Sequence, residues 1–327
     1  MDSQTKPGIL VKNRCETNSD YGCTPQDRKI EDYLQRGIAN LDKPSGPTSH
    51  QVTAWVKGIF NLERAGHSGT LDPKVTGVLP VAFGQATKIL SNLLLAGKTY
   101  VGILSLHQDL EEQEIMKAME YFQGKIIQKP PIKSAVKRQL RLKNIYRFEL
   151  LEKVGRSVLF EVDCEAGTYI RKLCHDLGYV LGGKAQMSEL RRIRVGPFTE
   201  EGIIRLHDLR DSYEHFKETG EETKLREYVQ PVENAVSHLN KIWIKDSAVD
   251  ALCHGAELNA PGVCKIEENI KPGNLVAAFT LKDEVVAVVN SLLDSQGIME
   301  AKRGPIAKTS RVVMEPGTYP KGWKTKT

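Results

Sequence analysis

The chain has 327 residues, with 46 Lys plus Arg against 41 Asp plus Glu, a net charge of +5. At ~150 residues per domain this length suggests roughly two domains. Its 40% hydrophobic and 27% charged residues exclude a disordered or collagen-like chain. No run approaches the ~18 apolar residues of a membrane helix, and Met1-Asp2-Ser3 opens without the regions of a secretory signal, so no membrane association is expected.

Residues 1 to 30 are polar and aperiodic, and read as an arm laid on another surface. The first strong element begins near Ile38 and ends in the turn Asp42-Lys43-Pro44-Ser45-Gly46-Pro47. A helix follows, because Thr48 and Gln51 form a capping-box pair. Val52, Trp55, Val56, Ile59 and Phe60 make its apolar stripe. A glycine-rich loop runs from Arg64 to Pro80, and Thr99 to Leu106 reads as a strand. Asp109 to Glu120 is acidic. Tyr121 to Arg147 then carries eight basic residues and no acidic one (Lys125, Lys129, Lys133, Lys137, Arg138, Arg141, Lys143, Arg147). Lys129-Pro130-Pro131 disfavours a helix through this block, and such a basic loop-and-strand segment attracts a polyanion.

Ser157 to Cys164 alternates, with Val158, Phe160, Val162 and Cys164 on one face. Gly167-Thr168 starts a helix with Thr168 as its cap, and Ile170, Leu173, Cys174, Leu177 and Leu181 as its buried stripe. Asp211 to Glu227 is again acidic. This irregular alternation predicts a mixed α/β (α+β) domain rather than a doubly wound one. From about Lys241 the texture changes to short β-rich runs, Ile242-Trp243-Ile244, Leu275 to Phe279 and Glu284 to Val289, punctuated by Gly and Pro turns. These predict a small barrel, with the boundary near Ser237 to Asn240. The six cysteines, Cys15, Cys23, Cys164, Cys174, Cys253 and Cys264, form no Cys-x-x-Cys and meet no His pair at zinc spacing. Neither a metal, a cofactor nor a structural disulfide is expected.

The densest chemical signal is Gly66 to Pro80, where three glycines and two prolines specify an unusual backbone path. An isolated Asp-Pro such as Asp72-Pro73 ordinarily caps its own backbone. Here Gly66 and Gly69 leave room for a large partner to approach. Ordinary glycoside hydrolysis needs two carboxyl groups. A single placed carboxylate fits displacement of a group that is later returned, and the lack of a Gly-Lys-Ser/Thr loop speaks against phosphoryl transfer.

The segment Arg64 to Pro80 resembles the catalytic motif of the TruB family of pseudouridine synthases. Gln128 to Arg138, with Leu140-Arg141 and Ile145-Tyr146, is similar to its archaeal dyskerin branch, the catalytic subunit of H/ACA guide-RNA particles. His254 to Leu258 and Pro261-Gly262-Val263 resemble a PUA domain, an RNA-binding pseudo-barrel. The resemblance spans about Tyr33 to Tyr319. It implies a polar arm at 1–30, a mixed-sheet pseudouridine synthase domain at 31–239, a β-barrel PUA domain at 240–316 and a tail at 317–327. It implies Asp72 as the catalytic aspartate, Tyr100 as the tyrosine that stacks on the flipped base and Arg171 as the arginine paired with the aspartate. Tyr169 and Leu190 are implied as pocket-lining, and Lys43 and Pro44 as a motif supporting the site.

A nucleophilic carboxylate must be ionised yet poorly solvated, and a close guanidinium favours its charged form. An aromatic face replaces the stacking lost by a flipped base, worth ~1–3 kcal/mol. His67 reads as positioning the RNA or its own loop rather than as an acid or base. Lys133, Lys137, Arg138, Arg141 and Lys143 read as a track for RNA phosphates. The implied partners are substrate tRNA or rRNA, an H/ACA guide RNA and small accessory proteins of the particle. Gln108, Lys184 and Gln186 depart from the family pattern, outside the proposed chemistry. The chain stops without the long charged tail of nuclear relatives, which suggests an archaeal, cytoplasmic protein. A non-catalytic RNA-binding scaffold would use the basic stretch and barrel alone, with no reason to hold Asp72, Tyr100 and Arg171 together. An RNA methyltransferase lacks support, since no glycine-rich loop of the dinucleotide type follows a strand.

Overall fold

The computed structural model describes residues 8–130 and 138–321. Contacts divide it into two units, one built from Ala39–Val81 and Leu90–Val229, the other from the chain up to Ile38, Ala82–Ile89 and the chain from Gln230 onward.

In the first unit, strands run in the spatial order Gly37–Lys43, Thr76–Phe83, Ala185–Val195, Lys98–Leu106, Ser157–Cys164, Arg141–Val154 and Gly124–Gln128. The sheet is mixed: Ala185–Val195 lies parallel to Thr76–Phe83 and antiparallel to Lys98–Leu106. The alternation of Ser157–Cys164 puts Val158, Phe160, Val162 and Cys164 into the core with Leu104, Leu173 and Leu177. The basic block forms a hairpin in which Gly124–Gln128 pairs antiparallel with Arg141–Val154. Lys133 and Lys137 lie outside the described residues.

Two local expectations change. The helix Ser49–Ile59 has its Thr48/Gln51 capping box, but its buried face is Ser49, Val52, Thr53 and Val56, and Trp55 is 48% exposed. The face is rotated because the Ser49 hydroxyl is required inside, where it accepts from the Leu71 N–H at 2.8 Å. The second helix spans Ile170–Val180 and has Tyr169, not Thr168, at its cap position. Thr168 Oγ1 instead donates to the Glu165 carbonyl at 2.7 Å, and the Tyr169 N–H is taken by Gln128 Oε1 at 2.9 Å.

The second unit carries a sheet in the order Ile9–Val11, Val263–Glu267, Asn240–Ile244, Leu275–Phe279, Val285–Ser291, Pro305–Val312 and Leu258–Asn259. Register shifts interrupt several of its pairings, as at Trp243/Ile244 and Ala278/Phe279. Such bulges bend strands and increase their twist, which lets the sheet curl around Ile242, Val276, Val286, Val289 and Ile306. The N-terminal arm adds an edge strand to this sheet, and Lys12 Nζ donates to the carbonyls of Ile298, Met299 and Ala301. This course brings Cys15 to Cys264, 5.9 Å away between Cα atoms, and the two form a disulfide. The expectation of no structural disulfide is thereby corrected: a pair separated by 249 residues leaves no spacing motif in the sequence. Cys23, Cys164, Cys174 and Cys253 are free thiols. Among the described residues no helix is long and apolar enough to cross a membrane.

Candidate active site

The loop that follows Ala65–His67 and enters Thr76–Phe83 is held from beneath by buried polar side chains. Lys43 is fully buried, and its Nζ donates to the carbonyls of Pro44, Pro73 and Val75 at 2.8–2.9 Å. Burial pulls this ammonium below the usual lysine range, while the field of Asp72 works the other way. Ser49 holds Leu71 as described, and the Gly46 N–H donates to Pro73 O at 2.9 Å. The segment flanking Asp72 is therefore fixed on both sides by groups outside it.

Asp72 projects from this fixed segment, and its carboxylate is 54% exposed. Arg171, one residue into the Ile170–Val180 helix, donates from Nη2 to Asp72 Oδ2 at 2.5 Å, across 99 residues of sequence. The carboxylate is paired on one oxygen and open to solvent on its remaining side. The expected poor solvation of this carboxylate is not met, since the Asp72 side chain is 54% exposed. An exposed pair of this kind adds at most ~1 kcal/mol to stability, which fits a placement serving chemistry rather than folding.

Tyr100 lies on Lys98–Leu106 and is 9% exposed, packed in the same core cluster as Leu71 and Val75. Burial pushes its phenol up, opposed by Arg192, so the group keeps its proton near neutrality. Tyr169 is anchored through its backbone: Gln128 Nε2 donates to its carbonyl at 3.2 Å while Gln128 Oε1 accepts from its N–H. Leu190 is half-buried opposite Gly102, where a Cβ would come within 2.9 Å of its Cδ1 and also within 2.7 Å of the Phe160 ring and 2.9 Å of the Glu189 carbonyl. His67 Nδ1 accepts from the Gly69 N–H at 3.2 Å and packs edge-on against His50. Burial, then His50 and Arg192, push its imidazole down to about 4. A neutral, backbone-bonded ring agrees with loop positioning.

The basic track divides. Lys125 and Lys129 are exposed. Lys143 is taken by Glu165 and the Ala166 carbonyl, and Arg147 by Glu149 and Glu161. Arg138 Nε donates to Pro130 O at 3.4 Å, and Arg141 is half-buried with partners of its own.

Sequence reasoning missed Ser49, Gln128, Lys98 and Arg192. Lys98 is buried, donates to the carbonyls of Leu93, Leu94 and Ala96, and is lowered to about 8 by burial. The run Arg191-Arg192-Ile193-Arg194 offers three cations with three destinations. Arg191 binds Asp42 and Glu200, Arg194 binds Asp163 and Thr99, and Arg192 turns inward. The pleat separates Arg191 from Arg192, and the register shift opposite Thr99/Tyr100 separates Arg192 from Arg194. Among the described residues no group of three or more His, Cys, Asp or Glu side chains could hold a metal ion.

Comparison with known families places a TruB family pseudouridylate synthase N-terminal domain at residues 57–170, a tRNA pseudouridylate synthase B C-terminal domain at 171–237, a PUA domain at 240–313 and a DKCLD domain at 3–53. A probable tRNA pseudouridine synthase B of Methanopyrus kandleri is 55% identical over 98% of this chain and 94% of its own. A protein of the same description from Pyrococcus furiosus is 52% identical over 99% of this chain and 96% of its own. Among solved structures, a chain of an H/ACA RNP bound to a substrate RNA containing 2'-deoxyuridine matches with a TM-score of 0.89 and 51% identity, covering 98% of each chain. A chain of a Cbf5-Nop10-Gar1 complex matches with a TM-score of 0.90 and 53% identity, covering 97% of each.

Proposed function

The chain belongs to the TruB family of pseudouridine synthases and isomerises uridine to pseudouridine in RNA, and from that premise we propose which residues perform the reaction and in what setting. Asp72 is the catalytic carboxylate, Arg171 aims it, and Tyr100 and Tyr169 with Leu190 line the space for the flipped base. The N1–C1′ bond of uridine breaks, the uracil turns, and a C5–C1′ bond forms. C5 loses its proton to solvent and N1 gains one, so no atom is gained or lost. One carboxylate is enough for a group that leaves and returns to the same sugar. The observation that carries this reading is the 2.5 Å contact between Arg171 Nη2 and Asp72 Oδ2, which brings together two groups 99 residues apart in sequence. A scaffold without catalysis has no use for that contact.

The assignment of domains follows the same reading: an arm at 1–30, a catalytic domain at 31–239, a PUA domain at 240–316 and a tail at 317–327. The PUA domain holds a second RNA element, and Lys129 and Arg138, with Lys133, Lys137 and Arg141, follow RNA phosphates. The H/ACA and Cbf5-Nop10-Gar1 assemblies among the similar structures support a guide RNA and small accessory proteins as partners. The names of the curated relatives support a tRNA uridine as substrate. A cytoplasmic location completes the reading. Mapping pseudouridines in total RNA from cells with and without this chain tests it. Loss of rRNA sites that pair with guide RNAs supports guided action, loss of a tRNA site alone supports unguided action, and an unchanged map refutes both.

A further inference from the structure

Arg192 has no part in the functional reading so far, yet it is 1% exposed at the middle of the sheet. It sits on Ala185–Val195, the strand between Thr76–Phe83 and Lys98–Leu106. Its cross-strand neighbours are Gly77 on one side and Tyr100 on the other. Its Nε donates to Val78 O at 2.8 Å and its Nη2 to Gly69 O at 3.1 Å, and Tyr100 lies directly across from it on the neighbouring strand. No carboxylate appears among these partners. The guanidinium thus spends its observed donors on the two ends of the loop that carries Asp72, from a strand position opposite the ring proposed to face the base.

The backbone is shaped to permit this. Gly77 has φ +99°, and a Cβ there would lie 2.2 Å from Arg192 O, so the strands meet only with glycine at that position. Gly69 has φ +133°, a conformation that L side chains rarely adopt, and this turns its carbonyl to Arg192 while its N–H meets His67. A buried cation paired with carbonyls alone costs desolvation that an apolar side chain would not. Its retention calls for a geometric purpose.

We propose that Arg192 is a positioning residue for the isomerisation, a tie that holds both ends of the Asp72 loop against the strand position that faces Tyr100. It touches neither the scissile bond nor the RNA; it acts through Gly69 and Val78. This rests on the assignment of Asp72 and Tyr100 above. The planar fork of Arg reaches two acceptors at separate loop ends at once, through Nε and Nη2.

The test uses the full chain, with Arg192→Met and Arg192→Lys. Single-turnover pseudouridine formation, RNA affinity and the hydrogen exchange of residues 67–78 are compared with the parent. A displacement of ~1 Å typically costs ~10²-fold in rate. The expected result is therefore a loss near 10²-fold in the chemical step, with RNA affinity within about threefold of the parent. Loop exchange should speed up in Arg192→Met while other strands stay protected. Arg192→Lys should recover part of the rate, because it can keep one of the two hydrogen bonds. Parent-like chemistry in folded Arg192→Met, or a loss confined to RNA affinity, overturns the proposal. So does loss of protection across the whole unit with none specific to the loop. If the parent itself modifies no RNA, the proposed function fails, and the exchange data still decide whether Arg192 holds the loop.

Discussion

Replacing Lys43 by methionine keeps the length and apolar stem of the side chain and removes only the ammonium. In the folded chain that ammonium serves the carbonyls of Pro44, Pro73 and Val75. Hydrogen bonds from a charged donor are worth ~1.5–3 kcal/mol each, so three of them represent roughly 5–9 kcal/mol of gross interaction. Against this stands the burial cost of the charge itself, several kcal/mol, which methionine does not bear. The balance leaves a destabilisation of about 2–4 kcal/mol, chiefly from carbonyls left without donors. Because two of those carbonyls flank Asp72, the loss is concentrated in the catalytic loop. Urea unfolding should show a lower midpoint with an unchanged slope, and pseudouridine formation should fall by ~10². A variant with the parental midpoint and rate would refute the view that Lys43 fixes this loop.

Acid should weaken the fold through His67. Its folded pKa of about 4 lies below the ordinary 6.5, so the unfolded state takes up the proton first. The stability from this group is full above pH 6.5, declines as pH falls toward 4 and levels off below that. His67→Asn, which keeps an acceptor for Gly69, should flatten that limb in a series of melting temperatures against pH. In RNA-binding titrations, Lys129→Ala should lower the salt slope by ~0.7–0.9. Arg147→Ala should leave it unchanged, since its guanidinium is already paired with Glu149 and Glu161. Reducing Cys15–Cys264, or Cys15→Ser, should destabilise the unit that carries it by about 2–4 kcal/mol, read as a shift of its unfolding midpoint, because the bond closes a very long loop.

Much of the catalytic unit could be read from periodicity. The strand Ser157–Cys164 has the bounds its alternation predicts, and Thr48 with Gln51 forms the predicted capping box. Such features are local, so sequence carries them in full. Asp72 stood out because its glycine- and proline-rich surroundings specify an unusual backbone. The misplacements share a cause: polar side chains turned inward for a backbone partner. Ser49 and Thr53 took buried positions that an apolar stripe assigned in part to Trp55, and Gln128 took over the N–H at the start of the Ile170–Val180 helix. Lys43 was placed through a motif, whereas Lys98 and Arg192 were passed over because charged residues are read as surface by default. Lys98 is capped by the carbonyls of the turn just before it, whereas the burial of Arg192 depends on carbonyls far away in sequence, 123 residues away at Gly69. Cys15 and Cys264 belong to the same class of long-range pairing.

Tritium release from RNA labelled at uridine C5 reports the chemistry at its source, since the C5 proton departs only when the new carbon–carbon bond forms. In parallel reactions, Asp72→Asn preserves the size of the side chain and removes its charge. Parent protein should release tritium and convert the RNA, while Asp72→Asn binds the same RNA and releases none above background. Release by Asp72→Asn at the parental rate would contradict the account.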